Sequence, residues 1–142
     1  MDAELADLAE AILGVGRELR LQTSPDVVHL TVSESHVMRY IDHHPGVTPS
    51  DVARATGLQR SNLSTALRAL EQRGFVERRT DPHDARGVNL FPTDRAAENL
   101  ARLRRQWAQK MAAALGEDRG GVTAAKALLE RIEVALTAAR LA

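Results

Sequence analysis

Apolar residues return at three- and four-residue steps from the start of the chain, at Leu5, Leu8, Ala9, Ile12, Leu13 and Leu19, with polar residues between them. That period predicts an amphipathic helix over roughly 3–22, ended by Gln22-Thr23-Ser24-Pro25-Asp26. A second helix is expected to open with Ser33 as N-cap, to turn Val37, Met38 and Ile41 inward, and to stop at Pro45-Gly46. A short third helix follows. Thr48 is a favoured N-cap, Pro49 suits the first turn, and Asp51 stands three residues after the cap, in the arrangement of a capping box. Gly57 breaks that helix. A fourth helix then puts Leu63, Ala66, Leu67 and Leu70 on one face, ahead of Gly74 at a position that favours a left-handed residue.

Beyond Gly74 the period changes. Phe75-Val76-Glu77-Arg78-Arg79 reads as a short strand, the following residues to Arg86 as a polar, turn-rich loop, and Gly87-Val88-Asn89-Leu90-Phe91 as a second strand stopped by Pro92. Thr93 then caps a long helix over roughly 94–115, with Leu100, Leu103, Trp107, Met111 and Ala114 as its apolar seam. Leu128, Leu129, Ile132, Leu136 and Ala139 define a last helix near 122–140. The expected fold is mainly α with one β-hairpin, in a single domain over residues 1–142.

The third and fourth helices carry the first functional signal. Val52, Ala53, Gly57, Leu58 and Leu63 supply the small, flexible and apolar positions that two helices need to cross steeply through a tight turn. On the outward face of the fourth helix stand Arg60, Ser61, Asn62, Ser64, Thr65 and Arg68, with no acid before Glu71. A merely solvated face ordinarily mixes Glu with Lys or Arg to gain helix pairs. This face instead offers guanidinium forks and short polar groups, which suit the edges of bases and the phosphates of a major groove.

The hairpin carries the second signal, because a two-stranded flap directly after a recognition helix makes a winged helix. Arg86, near its tip, can reach a narrow minor groove. Asp84 is expected to hold the wing by hydrogen bonds or to aim Arg86, and Arg78 and Arg79 at the wing base suit phosphates.

Charge supports this reading only once it is divided along the chain, since the formal net charge is zero. Residues 52–91 hold seven arginines against Glu71, Glu77, Asp81 and Asp84, whereas residues 1–20 hold five acids against Arg17 and Arg20. Composition, at 44% hydrophobic and 27% charged, is that of a soluble globular protein. Aromatics make up only 3%, so Ala and Leu packing must build the core, and a partner subunit would complete it. The absence of cysteine excludes disulfides, thiolate metal sites and thiol redox sensing. No basic-then-apolar leader opens the chain, and no apolar run approaches the ~18 residues of a membrane span, so a cytoplasmic protein without membrane contact is expected.

Three stretches in order, LTVSESHVMRYI, TPSDVARATGLQRSNLSTALRALEQRGFVERR and DPHDARGVNLFPT, resemble the MarR (multiple antibiotic resistance regulator) family of bacterial winged-helix repressors. The wing signature is met by Asp84, Arg86, Leu90 and Thr93, joined by Leu70, Gly74 and Arg78. Pro92 and Ala96 depart from the family's frequent Leu and Gly at those places. The resemblance implies a DNA-binding lobe over about 30–95 and dimerisation helices over about 1–22 and 94–142. It implies a homodimer that represses from a palindromic double-stranded operator and is released by a small aromatic or phenolic effector. Apolar seams on the terminal helices, more than a small winged helix covers, point to the same dimer.

Other constellations carry less. His29, His36, His43, His44 and His83 offer no helix pair four residues apart, and no metal or cofactor is expected. Asp42 beside His43 and His44, or Ser33 with His36, lacks the phosphate loop or strained turn that would organise catalysis, so an enzyme is not expected. Tyr40 and Trp107 are either core residues or the lining of an effector pocket. The alternative function is a winged-helix interaction or scaffold module without sequence-specific DNA binding.

Overall fold

The structure, a computed structural model, describes residues 2–21, 24–84 and 86–142. Among the described residues run α1 (Ala3–Leu21), α2 (Val32–His43), α3 (Pro49–Thr56), α4 (Arg60–Gln72), β1 (Val76–Thr80), β2 (Val88–Pro92), α5 (Asp94–Leu115) and α6 (Val122–Leu141). The expected end of α1 at Gln22 and Thr23 lies outside the described residues.

Local chemistry sets most of these boundaries. Thr48 accepts from Asp51 N while Asp51 accepts from Thr48 N, each at 3.2 Å, so both halves of the capping box are made and two helix-start N–H groups are satisfied. Gly57 closes α3 in the left-handed region at φ 73°. At the end of α4, Gly74 N donates to Glu71 O and Phe75 N to Leu70 O, the paired bonds of a Schellman motif, with Gly74 at φ 74°. Leu70 and Phe75, the apolar pair that accompanies such an ending, are both buried. One expected cap is displaced: Thr31, not Ser33, caps α2, accepting from Glu34 N at 3.1 Å. Either residue is a good cap, and Val32 between them is 51% exposed, so the apolar pattern could not fix where the helix begins.

The core is shared by α2, α3, α4 and the hairpin. Val37, Ile41, Val52, Leu67, Leu70 and Leu90 are almost inaccessible to solvent. Burial of each such side chain stabilises by about 1.5–3 kcal/mol. The hairpin pairs antiparallel, Val76 with Pro92 through Thr80 with Val88. It is also tied to the helices: Gly46 N donates to Leu90 O at 2.7 Å and Leu90 N to Val47 O at 2.8 Å, just ahead of the α3 cap.

Thr93 joins α5 to the end of α4. Its hydroxyl donates to Gly74 O at 2.6 Å and accepts from Ala96 N at 3.2 Å. The expected seam of α5 divides along its length. Ala96, which joins the core cluster, Asn99 and Leu103 are buried, while Leu100 and Met111 remain exposed. In α1 and α6 no described residue is buried, and Leu5, Leu13, Val15, Val134 and Leu136 are each at least 50% exposed.

Candidate nucleic-acid interface

Four buried positions on α4 fix its other side toward solvent. Because Leu63, Ala66, Leu67 and Leu70 face the core, the 3.6-residue repeat turns Arg60, Ser61, Asn62, Ser64, Thr65 and Arg68 outward, and all six are exposed. The Thr65 hydroxyl donates to Ser61 O at 3.0 Å, so toward an external group it has its lone pairs to offer. No acid of α4 lies on this stretch. The face presents two cations among short polar groups, a surface suited to a polyanion.

Two aspartates shape the wing. Asp84 accepts from Arg86 N at 2.9 Å through its side chain and from Gly87 N at 2.9 Å through its carbonyl, and Asp81 accepts from His83 N at 2.8 Å. These bonds make local turns within the loop. Gly87 is needed at the close approach: a Cβ there would stand 3.1 Å from Asp81 Cβ and 3.3 Å from Asp84 O. Arg86 is exposed at the tip.

At the wing base the cations have partners within the chain. Arg78 is ion-paired with Glu71. Arg79 pairs with Glu77 at 3.3 Å and lies over the Phe91 ring at 4.1 Å. Both guanidinium groups remain about half exposed, so they are oriented by these contacts without being withdrawn from solvent.

Several supports have no counterpart in the sequence reading. Glu34, in the first turn of α2, is 5% exposed, and Arg73 at the α4 C-cap donates to it at 2.5 Å. Asn99 accepts from Val28 N at 2.8 Å and donates to Val28 O at 2.9 Å, fastening the segment before α2 to α5. A polar residue on an otherwise buried helix face was the only available sign of this clasp. On α6, Glu133 pairs with Arg39, and Arg140 donates to Arg54 O and Ala55 O.

The aromatic pair is not brought together. Tyr40 stacks on His44 at 4.3 Å and lines a crevice of about 250 Å³ with Asp51, Arg54, Ala55 and Leu141. Trp107 is half-buried on α5 and is not part of that lining. A second cavity, of about 370 Å³, lies between Val28, Phe75, Arg95, Glu98, Asn99 and Arg102. Burial raises the Asp42 carboxyl above its ordinary value, against a smaller opposing effect of His43.

Comparison with known proteins agrees with this geometry. The family model described as MarR family matches residues 30–87. An uncharacterized HTH-type transcriptional regulator of Mycobacterium leprae is 27% identical over 138 residues, covering 93% of this chain and 95% of that protein. Another, YwhA of Bacillus subtilis, is 35% identical over 81 residues, or 55% of this chain and 58% of that protein. Among solved structures, a transcriptional regulator from Pseudomonas aeruginosa superposes with a TM-score of 0.75 at 27% identity, covering 94% and 97% of the two chains. The repressor CouR, solved on a 23-mer DNA duplex, gives 0.70 at 29% identity, covering 91% and 89%. No helix among the described residues is long and apolar enough to cross a membrane. The match of residues 30–87 to the MarR family model, the similarity to HTH-type transcriptional regulators and the superposition on CouR identify this helix pair and wing as a MarR-type winged helix.

Proposed function

We propose that the protein is a homodimeric repressor that occupies a palindromic operator. Each protomer presents α4 to a major groove and its wing to the neighbouring minor groove. The observation that carries this reading is the outward face of α4, which has two cations and four short polar groups and no carboxylate to repel phosphate. CouR, bound to its duplex, supports the same use of the fold. In this arrangement Arg60, Ser61, Asn62, Ser64, Thr65 and Arg68 meet bases and phosphates, Arg86 enters the minor groove, and Arg78 and Arg79 exchange their carboxylate partners for phosphates. Asp84 acts by shaping the wing.

The division of labour within the chain follows from exposure. Residues of about 30–95 form the DNA-binding lobe, and α1, α5 and α6 bury their open apolar faces against a second copy, because helices with such faces are stable only when these are covered. Two-fold symmetry then sets half-sites about one helical turn apart, centre to centre roughly 10 bp. A small aromatic or phenolic molecule acts as effector by changing the spacing of the two α4 helices, a reading supported by the crevice that Tyr40 lines.

A titration of duplex at several salt concentrations tests this function. The wild-type protein should select a palindrome from random sequences and lose affinity steeply as salt rises. Arg86→Ala should weaken that binding about tenfold, a loss of ~1.4 kcal/mol, with the dimer intact by light scattering. Equal affinity for every duplex, or none at low ionic strength, would remove the operator from the account.

A further inference from the structure

Helices end with carbonyls that have no partner of their own, and each must be answered from outside. At the end of α3, Ala53 O accepts from Gly57 N at 2.9 Å. The next two carbonyls, Arg54 O and Ala55 O, accept instead from the two terminal nitrogens of one guanidinium, that of Arg140 on α6, the first of them at 3.3 Å. A cation at this end also meets the negative pole of the helix. Arg140 lies close to the turn itself, since a Cβ built on Gly57 would stand 3.2 Å from its Nη1.

A second contact lies seven residues, or about two helical turns, earlier on α6. There Glu133 accepts both terminal nitrogens of Arg39 on α2, at 2.5 and 3.2 Å. Positions seven apart share a helix face, so α6 fastens to the winged helix along one stripe: Glu133 on α2, Arg140 on the C-terminal end of α3. Leu141 adjoins the Arg140 fastening, closing the crevice with Tyr40 and Arg54.

We propose that Arg140, supported by Glu133, is a positioning residue for operator binding. It locks the helix-turn-helix onto α6 of its own chain, so the separation of the two α4 helices in the dimer is set through this strap. The inference rests on the dimeric operator reading above. Its energetic logic is that of a two-point binder: once one half-site is held, the second binds at an effective concentration set by the stiffness of the link. Loosening the strap therefore weakens binding to the paired site and leaves a single half-site alone.

The test compares wild type with Arg140→Met, which keeps the apolar stem, and Arg140→Lys, which keeps a donor without the fork. The probes are the palindrome selected by wild-type protein, a duplex carrying one half-site, and the palindrome with one base pair inserted at its centre. Arg140→Met should bind the palindrome about three- to tenfold more weakly, bind the half-site within about twofold of wild type, and show a smaller penalty for the insertion; Arg140→Lys should fall between. Equal losses on palindrome and half-site would mean that Arg140 merely holds the fold, and unchanged palindrome binding would mean that the strap sets nothing.

A measurement without DNA separates failure of the strap from failure of the operator reading. The chain has no cysteine, so Gln72→Cys places one spin label on each α4. The label-to-label distance distribution of the free dimer should broaden in Arg140→Met, and an unchanged width overturns the proposal whether or not the protein binds duplex.

Discussion

Replacing Arg73 by Met would leave the Glu34 carboxylate, 7% exposed at its side chain, without its cation. Replacing Glu34 by Gln leaves a guanidinium that is 38% exposed and can turn to water, while the amide oxygen still accepts. The two halves of one ion pair should therefore differ in cost. Removing one partner of a fully buried pair costs about 3–5 kcal/mol. Solvent reaches the outer side of Arg73, which brings the Arg73→Met estimate down to roughly 2 kcal/mol. Glu34→Gln loses only a charge-assisted hydrogen bond and should cost about 0.5–1 kcal/mol. For a chain of this size these figures correspond to midpoint shifts of about 4–8 °C and about 1–4 °C. Thermal unfolding read by circular dichroism measures them, at one fixed protein concentration because self-association makes the midpoint vary with concentration. Equal losses, or a larger loss for Glu34→Gln, would refute the reasoning that burial of the carboxylate controls this pair.

Two further outcomes are expected. Asn forms the same turn as Asp, so Asp84→Asn should keep the wing, remove a negative charge beside Arg86, and tighten duplex binding about two- to threefold at low salt. Asp84→Ala, which loses the acceptor for Arg86 N, should weaken it, and tightening by both variants would show that the turn does not matter. Burial raises the Asp42 carboxyl above its ordinary value, so the folded state holds this proton where the unfolded chain has lost it. Stability from this group therefore falls as pH rises through that window. Asp42→Asn should raise the unfolding midpoint at pH 7 and lose that advantage as pH is lowered through the usual carboxylate range; an advantage independent of pH would assign it to packing instead.

What was legible in the sequence was what neighbouring residues settle among themselves. Thr48 with Asp51, Gly57 and Gly74 each act within a few residues, and the structure places them as their chemistry dictates. The inward face of α4 was equally plain, since a strict helical repeat of Leu and Ala leaves one choice of side. Harder to read were features whose partner is distant backbone. Asn99 clasps Val28, and Arg140 answers Arg54 O and Ala55 O; a carbonyl leaves no trace in residue identity. Hydrophobic spacing also overran its meaning on α5, where one continuous seam was expected and two edges with different surroundings are found. The internal ion pairs of Arg78 and Arg79 were also hidden, because the sequence suggested phosphates for both, and their partners, Glu71 at the end of α4 and Glu77 two residues before Arg79, are selected only once β1 is folded back beside α4.

The two hydrogen bonds between the Gly46-Val47 segment and Leu90 have a consequence for how a sequence would be discriminated. They stitch the entry to α3 to the inner strand of the wing, so the helix-turn-helix and the flap are coupled at this edge. On the proposed reading, preferences at the centre of a half-site and at its A/T flank would be interdependent. Substitutions made at both would shift binding by an amount different from the sum of each alone.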